Sequence, residues 1–148
     1  MTDQTVPRYR THAFHRNYLK ITALVIGAFG PIFFFGTMPA TDGLARWTID
    51  LVSWPLDGVP DIPNPATRLL LALTGGFLLG WAVTVWLLST RLYDQAPQTV
   101  RRIVLTGVLV WFIVDSTGSV TSGHASNVLF NVLFLLVGVG PLWWRALD

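Results

Sequence analysis

Residues 69–90 read LLLALTGGFLLGWAVTVWLLST and contain no charged side chain. A helix of about 20 apolar residues crosses a hydrocarbon core roughly 30 Å thick. The stretch lacks the alternation of polar and apolar residues that marks a strand of a membrane barrel. It therefore predicts a transmembrane helix over about residues 68–90.

Three more runs of the same kind flank this one, and only Asp115 interrupts them. They are Ile21–Met38, Ile103–Gly123 and Ala125–Trp144. Each is long enough to cross a bilayer as a helix. We therefore predict an all-α membrane protein with one domain over residues 1–148. Its four transmembrane helices are expected at about 19–38, 68–90, 102–121 and 125–144, after a polar cytoplasmic tail over residues 1–17.

The composition of the chain agrees with this class. Of its 148 residues, 52% are hydrophobic and 12% are charged, with a mean hydropathy of +0.54. Soluble domains carry about 25% charged residues, so a soluble or a disordered chain is excluded. The absence of Cys excludes thiolate chemistry and disulfides. Despite the pI near 9.5, no basic stripe accompanies aromatic residues, and nucleic acid is not an expected partner.

The distribution of positive charge predicts the orientation of the helices. With both chain ends in the cytoplasm, Arg46 and Arg68 are the positive residues of the outer segments. The inner segments hold Arg8, Arg10, Arg16, Lys20, Arg91, Arg101, Arg102 and Arg145. Such an excess on the cytoplasmic side is typical of bacterial membrane proteins. A cleaved signal peptide is the alternative for the first run, although its polar leader is long for one.

A short amphipathic helix is predicted in the first outer loop, over about residues 42–54. Leu44, Trp47, Leu51 and Trp54 recur there at helical spacing, and the segment is too short to span a bilayer. We expect it to lie on the outer membrane surface, with Trp47 and Trp54 as interfacial anchors. Docking of a partner protein on the same face is the alternative. Trp143 and Trp144 are the corresponding anchors expected at the inner surface.

The second predicted transmembrane helix carries a face of small residues spaced four apart. They are Ala72, Gly76, Gly80 and Thr84. Small residues allow two helix backbones to approach closely in a membrane. We favour packing against another helix of the same chain. The alternative is homodimerisation or docking on a larger membrane complex.

Asp115 lies inside the third predicted helix, and a carboxylate near mid-membrane costs about 2.5–3.5 kcal/mol on insertion scales. The turn between the last two helices centres on Gly123, eight residues after Asp115 and eight before Asn131. In an antiparallel hairpin these two side chains should lie at the same depth. We therefore predict a polar cluster of Asp115, Asn131, Asn127 and Ser119, with His124 at its mouth.

This cluster has three interpretations. It can fix the register of two helices through a hydrogen bond, which is the interpretation we favour. It can bind a small ligand, an ion or a proton. It can also be catalytic, but no nucleophile motif is present and we expect no catalytic residue. His12 and His15 form a weak metal signal, and neither a metal nor a cofactor is expected.

Four short motifs resemble those of small bacterial four-helix membrane proteins. They are Gly30-Pro31, WPLDG at 54–58, LTGGF at 73–77 and NVLFN at 127–131. The resemblance implies the fold and a bacterial inner membrane, and it implies no activity.

The leading hypothesis for function is a non-enzymatic accessory protein that self-associates or docks on a larger membrane complex. Binding or transport of a small ligand, ion or proton at Asp115 and Asn131 is the alternative. A membrane enzyme is the weakest of the three.

Overall fold

All regular structure in the described part of the chain is helical. The computed structural model describes residues 6–58, 62 and 64–145. Its α-helices are α1 (Val6–Phe35), α2 (Gly43–Ser53), α3 (Pro65–Leu87), α4 (Pro97–Thr121) and α5 (Asn127–Leu133). Two π-helical turns (Leu88–Leu92 and Phe134–Gly138) and a 3₁₀ turn (Gly140–Trp143) follow α3 and α5. The predicted all-α class is confirmed for these residues.

Among the described residues, three helices are long and apolar enough to cross a membrane, as expected of a membrane protein. The spans are His12–Phe35, Pro65–Leu92 and Pro97–Thr121. They correspond to the first three predicted transmembrane helices. The first helix begins earlier than its apolar run, because the polar residues from Val6 onward continue the same helix. Residues 1–5 of the predicted polar tail lie outside the described residues.

The last apolar run does not form the single helix predicted over about 125–144. The apolar helix there covers Asn127–Gly138, and it loosens from α-helical to π-helical geometry at Phe134. Gly138, Gly140 and Pro141 explain the break, because glycine is a poor helix former and proline lacks a backbone N–H. The freed carbonyls are satisfied from α1. Tyr18 donates a hydrogen bond to the Val137 carbonyl, and Thr22 donates to that of Gly138 at 2.6 Å.

α1 packs mainly against α3, through glycines on both helices. A Cβ atom at Gly75 would lie 2.8 Å from the Gly30 carbonyl oxygen, and one at Gly27 would lie 3.2 Å from the Ala82 Cβ. This close approach is the packing mode expected in lipid. It uses Gly75, one residue before the predicted small-residue face.

The predicted face itself points away from the chain. Gly76, Gly80 and Thr84 are exposed, and Ala72 is half-buried. Apart from chain neighbours and the backbone of α3 itself, no described atom lies within 4 Å of a Cβ built at Gly76 or Gly80. The favoured interpretation of packing within the chain is therefore wrong for these two glycines, because a one-residue shift rotates a helix position by about 100°.

The four long segments form two hairpins, α1 with α3 and α4 with residues 127–143. A shared apolar core joins the hairpins in the half of the molecule that contains Tyr93. Its buried members include Leu19, Ala23, Val85, Tyr93, Val100, Val104, Val108, Val139 and Leu142. We call this half the Tyr93 end and the opposite half, which carries α2, the α2 end.

Helix α2 lies across the half of the molecule that is named after it. Polar contacts hold both termini of this helix. Before its first turn, the Asp42 carboxylate pairs with the Arg68 guanidinium at 3.4 Å. At its last turn, the Ser126 hydroxyl donates to the Val52 carbonyl at 2.6 Å. Ala45 and Thr48 are buried against the bundle, whereas Trp47 is 56% exposed. The predicted short helix therefore exists over Gly43–Ser53, and its contact with the membrane surface stays a prediction.

Candidate functional site

The predicted polar cluster forms between α4 and α5. Asn127 Nδ2 donates to Asp115 Oδ2 at 3.0 Å, and Asn131 Nδ2 donates to the same oxygen at 2.7 Å. Asn127 Nδ2 also donates to Ser119 Oγ at 2.9 Å. Asp115 lies six residues before the end of α4, about 9 Å along the helix axis. The structure thus brings together Asp115, Asn127, Asn131 and Ser119.

Ser116 is a member of this cluster that the sequence interpretation missed. Asn131 Nδ2 donates to Ser116 Oγ at 3.1 Å. Ser116 follows Asp115 directly, so a helical wheel places it about 100° away from the cluster face. The buried Asn131 amide reaches both neighbours because its two N–H groups diverge.

His124 is not part of the cluster. It follows the Gly123 turn, where φ is +85°, and its side chain is exposed. Its Nδ1 lies 3.3 Å from Ser122 Oγ, and it does not line the cavity beside Asp115. Its backbone N–H donates to the Ser119 carbonyl at 2.8 Å, next to the cluster, whereas the ring is not among the cavity lining. The position of His124 at the mouth therefore stays a prediction.

The hydrogen bonds of the cluster use the N–H groups of both Asn amides and leave several acceptor atoms unused. Each Asn amide has two N–H groups, and all four of them are engaged with Asp115, Ser119 and Ser116. Both bonds to Asp115 end on Oδ2. Within the described part of the chain, no group donates to Asp115 Oδ1 or to the side-chain oxygens of Asn127 and Asn131.

A cavity of about 480 Å³ lies directly beside the cluster. It occupies the space where the two hairpins separate at the α2 end, and Asp115, Asn127 and Asn131 form its polar wall. The rest of its wall is mainly apolar and comes from every helix. The aromatic members are Phe29, Phe33, Trp47, Trp81, Trp111, Phe130 and Phe134. Such a volume and lining are typical of small-molecule sites.

One side of this cavity is open between α1 and α2. Trp47 and Leu44 line it from α2 and are 56% and 54% exposed, and Phe29 lines it from α1 with 39% exposure. Side chains that both line a cavity and reach the outer surface mark its opening.

Trp81 and Trp111 pack against the core of the Tyr93 end, and they also line the cavity. Their ring centroids are 6.2 Å apart, and Trp111 meets Phe134 edge-on at 5.4 Å. This row of three rings runs from α3 through α4 to the segment after α5. It forms the floor that separates the cavity from the core of the Tyr93 end.

A second polar cluster lies at the Tyr93 end and was not predicted. The Asp94 carboxylate accepts a hydrogen bond from Arg16 at 2.7 Å and another from His12 Nε2 at 3.0 Å. The His12 hydrogen bond and the Arg16 guanidinium lower the pKa of Asp94 from its ordinary value. His15 is buried here instead of lying in a solvated tail. Asp94 is about 80 residues from these partners, so local spacing carried no signal of the contact.

Tyr93 and Arg101 complete this second cluster. Burial raises the pKa of the Tyr93 hydroxyl to about 12. Arg101 donates to the carbonyls of Leu142, Trp143 and Trp144 at 2.6, 2.9 and 3.1 Å. The guanidinium thereby satisfies the unpaired carbonyls at the end of the last helical segment.

The four predicted interfacial tryptophans all have exposed side chains. Trp54 is 62% exposed and Trp144 is 71% exposed. Trp143 is 37% exposed, and its Nε1 donates to the Leu135 carbonyl at 3.0 Å. Exposure on the outside of an apolar bundle suits an anchor in the headgroup region, and this role stays a prediction.

Among the described residues, no group of three or more His, Cys, Asp or Glu side chains is arranged to hold a metal ion. Comparisons with models of known protein families, with curated proteins and with solved structures found no match. The resemblance to small bacterial four-helix membrane proteins therefore stays an expectation, and functional inference depends on the geometry of the two clusters.

Proposed function

We propose that this protein binds a small, largely apolar molecule in the cavity at its α2 end. The observation that carries the proposal is the cavity of about 480 Å³ beside Asp115, Asn127 and Asn131. A carboxylate that serves only to fix helix register has no need of an adjoining cavity. Here the unused acceptors of the cluster adjoin an apolar space large enough for a ligand.

The proposal places the chain in a bacterial inner membrane with four crossings and both ends in the cytoplasm. Support for the fourth crossing comes from contacts along α4. Asn127 bonds to Ser119 near one end of α4, and Leu142 bonds to Arg101 near the other. The 18 residues from Arg101 to Ser119 correspond to about 27 Å of helix. The last segment thus extends over nearly the thickness of a hydrocarbon core.

The binding proposal is tested by filling the cavity. The protein is reconstituted in lipid nanodiscs and dialysed to equilibrium against radiolabelled 4-phenylbutan-1-ol, with empty nanodiscs subtracted. Leu78 lines the cavity, and Leu78→Trp should weaken protein-dependent binding by about tenfold, since overpacking costs 1–3 kcal/mol.

Leu73→Trp is the matched control for this test. Leu73 is on the outward face of α3 and is 50% exposed, so this variant should bind the alcohol as the wild type does. Equal binding of the alcohol by the two variants would contradict the proposed function.

Self-association through the outward face of α3 is a second candidate. Its specific support is the open space over Gly76 and Gly80. Exposed Leu73 and Val83 stand beside these glycines and form the shoulders of a shallow groove. The Thr84 hydroxyl bonds to the Gly80 carbonyl at 2.9 Å, so the groove has no unsatisfied hydroxyl. A second copy of the chain could pack there closely.

The second candidate is tested by native mass spectrometry with lipid retained. The double change Gly76→Leu and Gly80→Leu should reduce any multiple of the 16.4 kDa chain to the single chain. Gly118 on α4 is also exposed with open space around it, and Gly118→Leu serves as the control. A wild type that is already a single chain rules this candidate out.

A further inference from the structure

We infer that the ligand of the α2-end cavity carries a protonated amine on an apolar body. The inference deepens the proposed function and rests on it. Its basis is the balance of donors and acceptors in the polar wall, together with the charges and rings that surround the wall.

The polar cluster can accept further hydrogen bonds, but its amide N–H groups are already engaged within the cluster. The four N–H groups of Asn127 and Asn131 donate to Asp115, Ser119 and Ser116. Ser119 itself donates to the Asp115 carbonyl at 2.8 Å. At the cavity, the lining residues Asp115, Asn127 and Asn131 still offer Asp115 Oδ1 and two amide oxygens, all of them acceptors, and Ser116 with its hydroxyl donor is not among the lining residues. An ammonium group brings three donors to three acceptors.

Among the described residues, no basic side chain (Lys, Arg or His) lines the cavity beside Asp115. The partners of the carboxylate are neutral amides, whereas Asp94 at the Tyr93 end is paired with Arg16 and His12. A carboxylate beside an apolar cavity without a counter-ion favours a cationic ligand and opposes an anionic one.

The aromatic rings beside the cluster favour the same charge. Trp111 is one helical turn from Asp115 on the same face of α4, and its ring packs with those of Trp81 and Phe134. Faces of Trp and Phe attract ammonium groups within about 6 Å. The remaining cavity wall is apolar and accepts the hydrocarbon part of the ligand.

The size and opening of the cavity limit the ligand further. About 480 Å³ is the volume of a molecule of small-drug size, since a water molecule takes about 30 Å³ in the liquid. The cavity is open beside Phe29 and Trp47, whose side chains are exposed. The ligand is thus a compact amphiphilic amine that enters through this opening.

The test compares three probes that share one apolar body and differ in the head group. They are 4-phenylbutylamine, 4-phenylbutan-1-ol and 4-phenylbutanoate, dialysed at pH 7 against protein in nanodiscs of zwitterionic lipid with empty nanodiscs subtracted. The amine should bind about tenfold more tightly than the alcohol, because a charge-assisted hydrogen bond is about twice as strong as a neutral one. The carboxylate should bind most weakly.

Asp115→Asn separates the carboxylate from the shape of the site. This variant should lose the tenfold preference for the amine, and it should keep the affinity for the alcohol within about twofold, which also reports that it is folded. Asp57 is exposed in the loop after α2, and Asp57→Asn should keep the preference.

The outcomes distinguish the two proposals. If the alcohol or the carboxylate binds the wild type as tightly as the amine, the inference about the ligand is wrong and the binding proposal stands. If none of the three probes shows protein-dependent binding, the binding proposal fails. Should Asp115→Asn fail to fold, the ratio of amine to alcohol affinity in the wild type decides the matter.

Discussion

The two ends of the bundle use polar residues in opposite ways. At the Tyr93 end, Asp94 is paired with Arg16 and His12, and Arg101 caps three carbonyls. At the α2 end, Asp115 has only neutral amide partners and adjoins a cavity. Groups whose bonding capacity is used within the chain hold the fold together. Groups with acceptors to spare beside an open space are free to bind something else.

The apolar residues repeat this contrast. The Tyr93 end is filled by Leu19, Val108 and Leu142, none of which is exposed to solvent. At the α2 end the hairpins separate, and aromatic side chains line the gap instead of filling it. Empty apolar space costs stability because dispersion contacts are lost. A cavity is therefore expected where a ligand restores those contacts.

The largest effect on stability should come from the Tyr93 end. Arg101→Ala removes three hydrogen bonds from a charged donor and leaves the last carbonyls of the chain's final helical segment unpaired. We expect a loss of about 3 kcal/mol in the free energy of unfolding. Thermal unfolding in detergent, followed by circular dichroism, measures it.

Arg102→Ala is the control for this prediction. Its side chain is exposed on the same helix, and a change at an exposed surface position should stay within about 0.5 kcal/mol. Equal losses for the two variants would show that the hydrogen bonds of Arg101 do not stabilise the Tyr93 end.

Asp115→Asn should have a smaller effect on stability, although Asp115 lies within one of the long apolar helices. Hydrogen bonds between membrane helices are worth about 0.6 kcal/mol on average and at most about 1.7. We expect a loss of about 1 kcal/mol in the same unfolding measurement, because an amide oxygen can still accept from Asn127 and Asn131. A loss as large as that of Arg101→Ala would make Asp115 a structural residue and weaken the binding proposal.

The smallest effect concerns alkaline pH. Burial raises the pKa of Tyr93 to about 12 from 10.0, so the folded state holds this proton more tightly than the unfolded state. Its contribution to stability is complete below pH 10 and is lost as the pH rises through about 12. Tyr93→Phe should have little effect at pH 7, and it should unfold at a higher pH than the wild type. Identical alkaline transitions would contradict the assignment of this loss to Tyr93.

Much of the fold and the core of the candidate site could be predicted because they depend on local features. Long apolar runs with at most one charged residue specify the three long helices. Asp115 and Asn131 are equally distant from the turn at Gly123, and an antiparallel hairpin places such residues side by side. The sequence analysis did not predict the mixed helical geometry after Phe134, although Gly138, Gly140 and Pro141 favour a break in the helix there.

The remaining features depend on how the two hairpins meet, which no short stretch of sequence encodes. Asp94 meets Arg16 and His12 only after α1 and α3 have packed. Gly75 and Gly76 are neighbours of one residue type, yet Gly75 contacts α1 and Gly76 faces outward. The two residues are of the same type, so only the direction in which α3 packs decides which of them contacts α1. The cavity arises in the same way, from the spacing between hairpins.

The most direct test of binding at the α2 end is a crystal structure grown in lipid with 4-(4-bromophenyl)butan-1-amine. Anomalous scattering locates the bromine without reference to the protein density. We predict one bromine inside the cavity lined by Trp81 and Phe134, with the amine within hydrogen-bonding distance of Asp115 Oδ1. Bromine found only on the outer, lipid-facing surface, with the cavity empty, would contradict the assignment of the α2 end as a binding site.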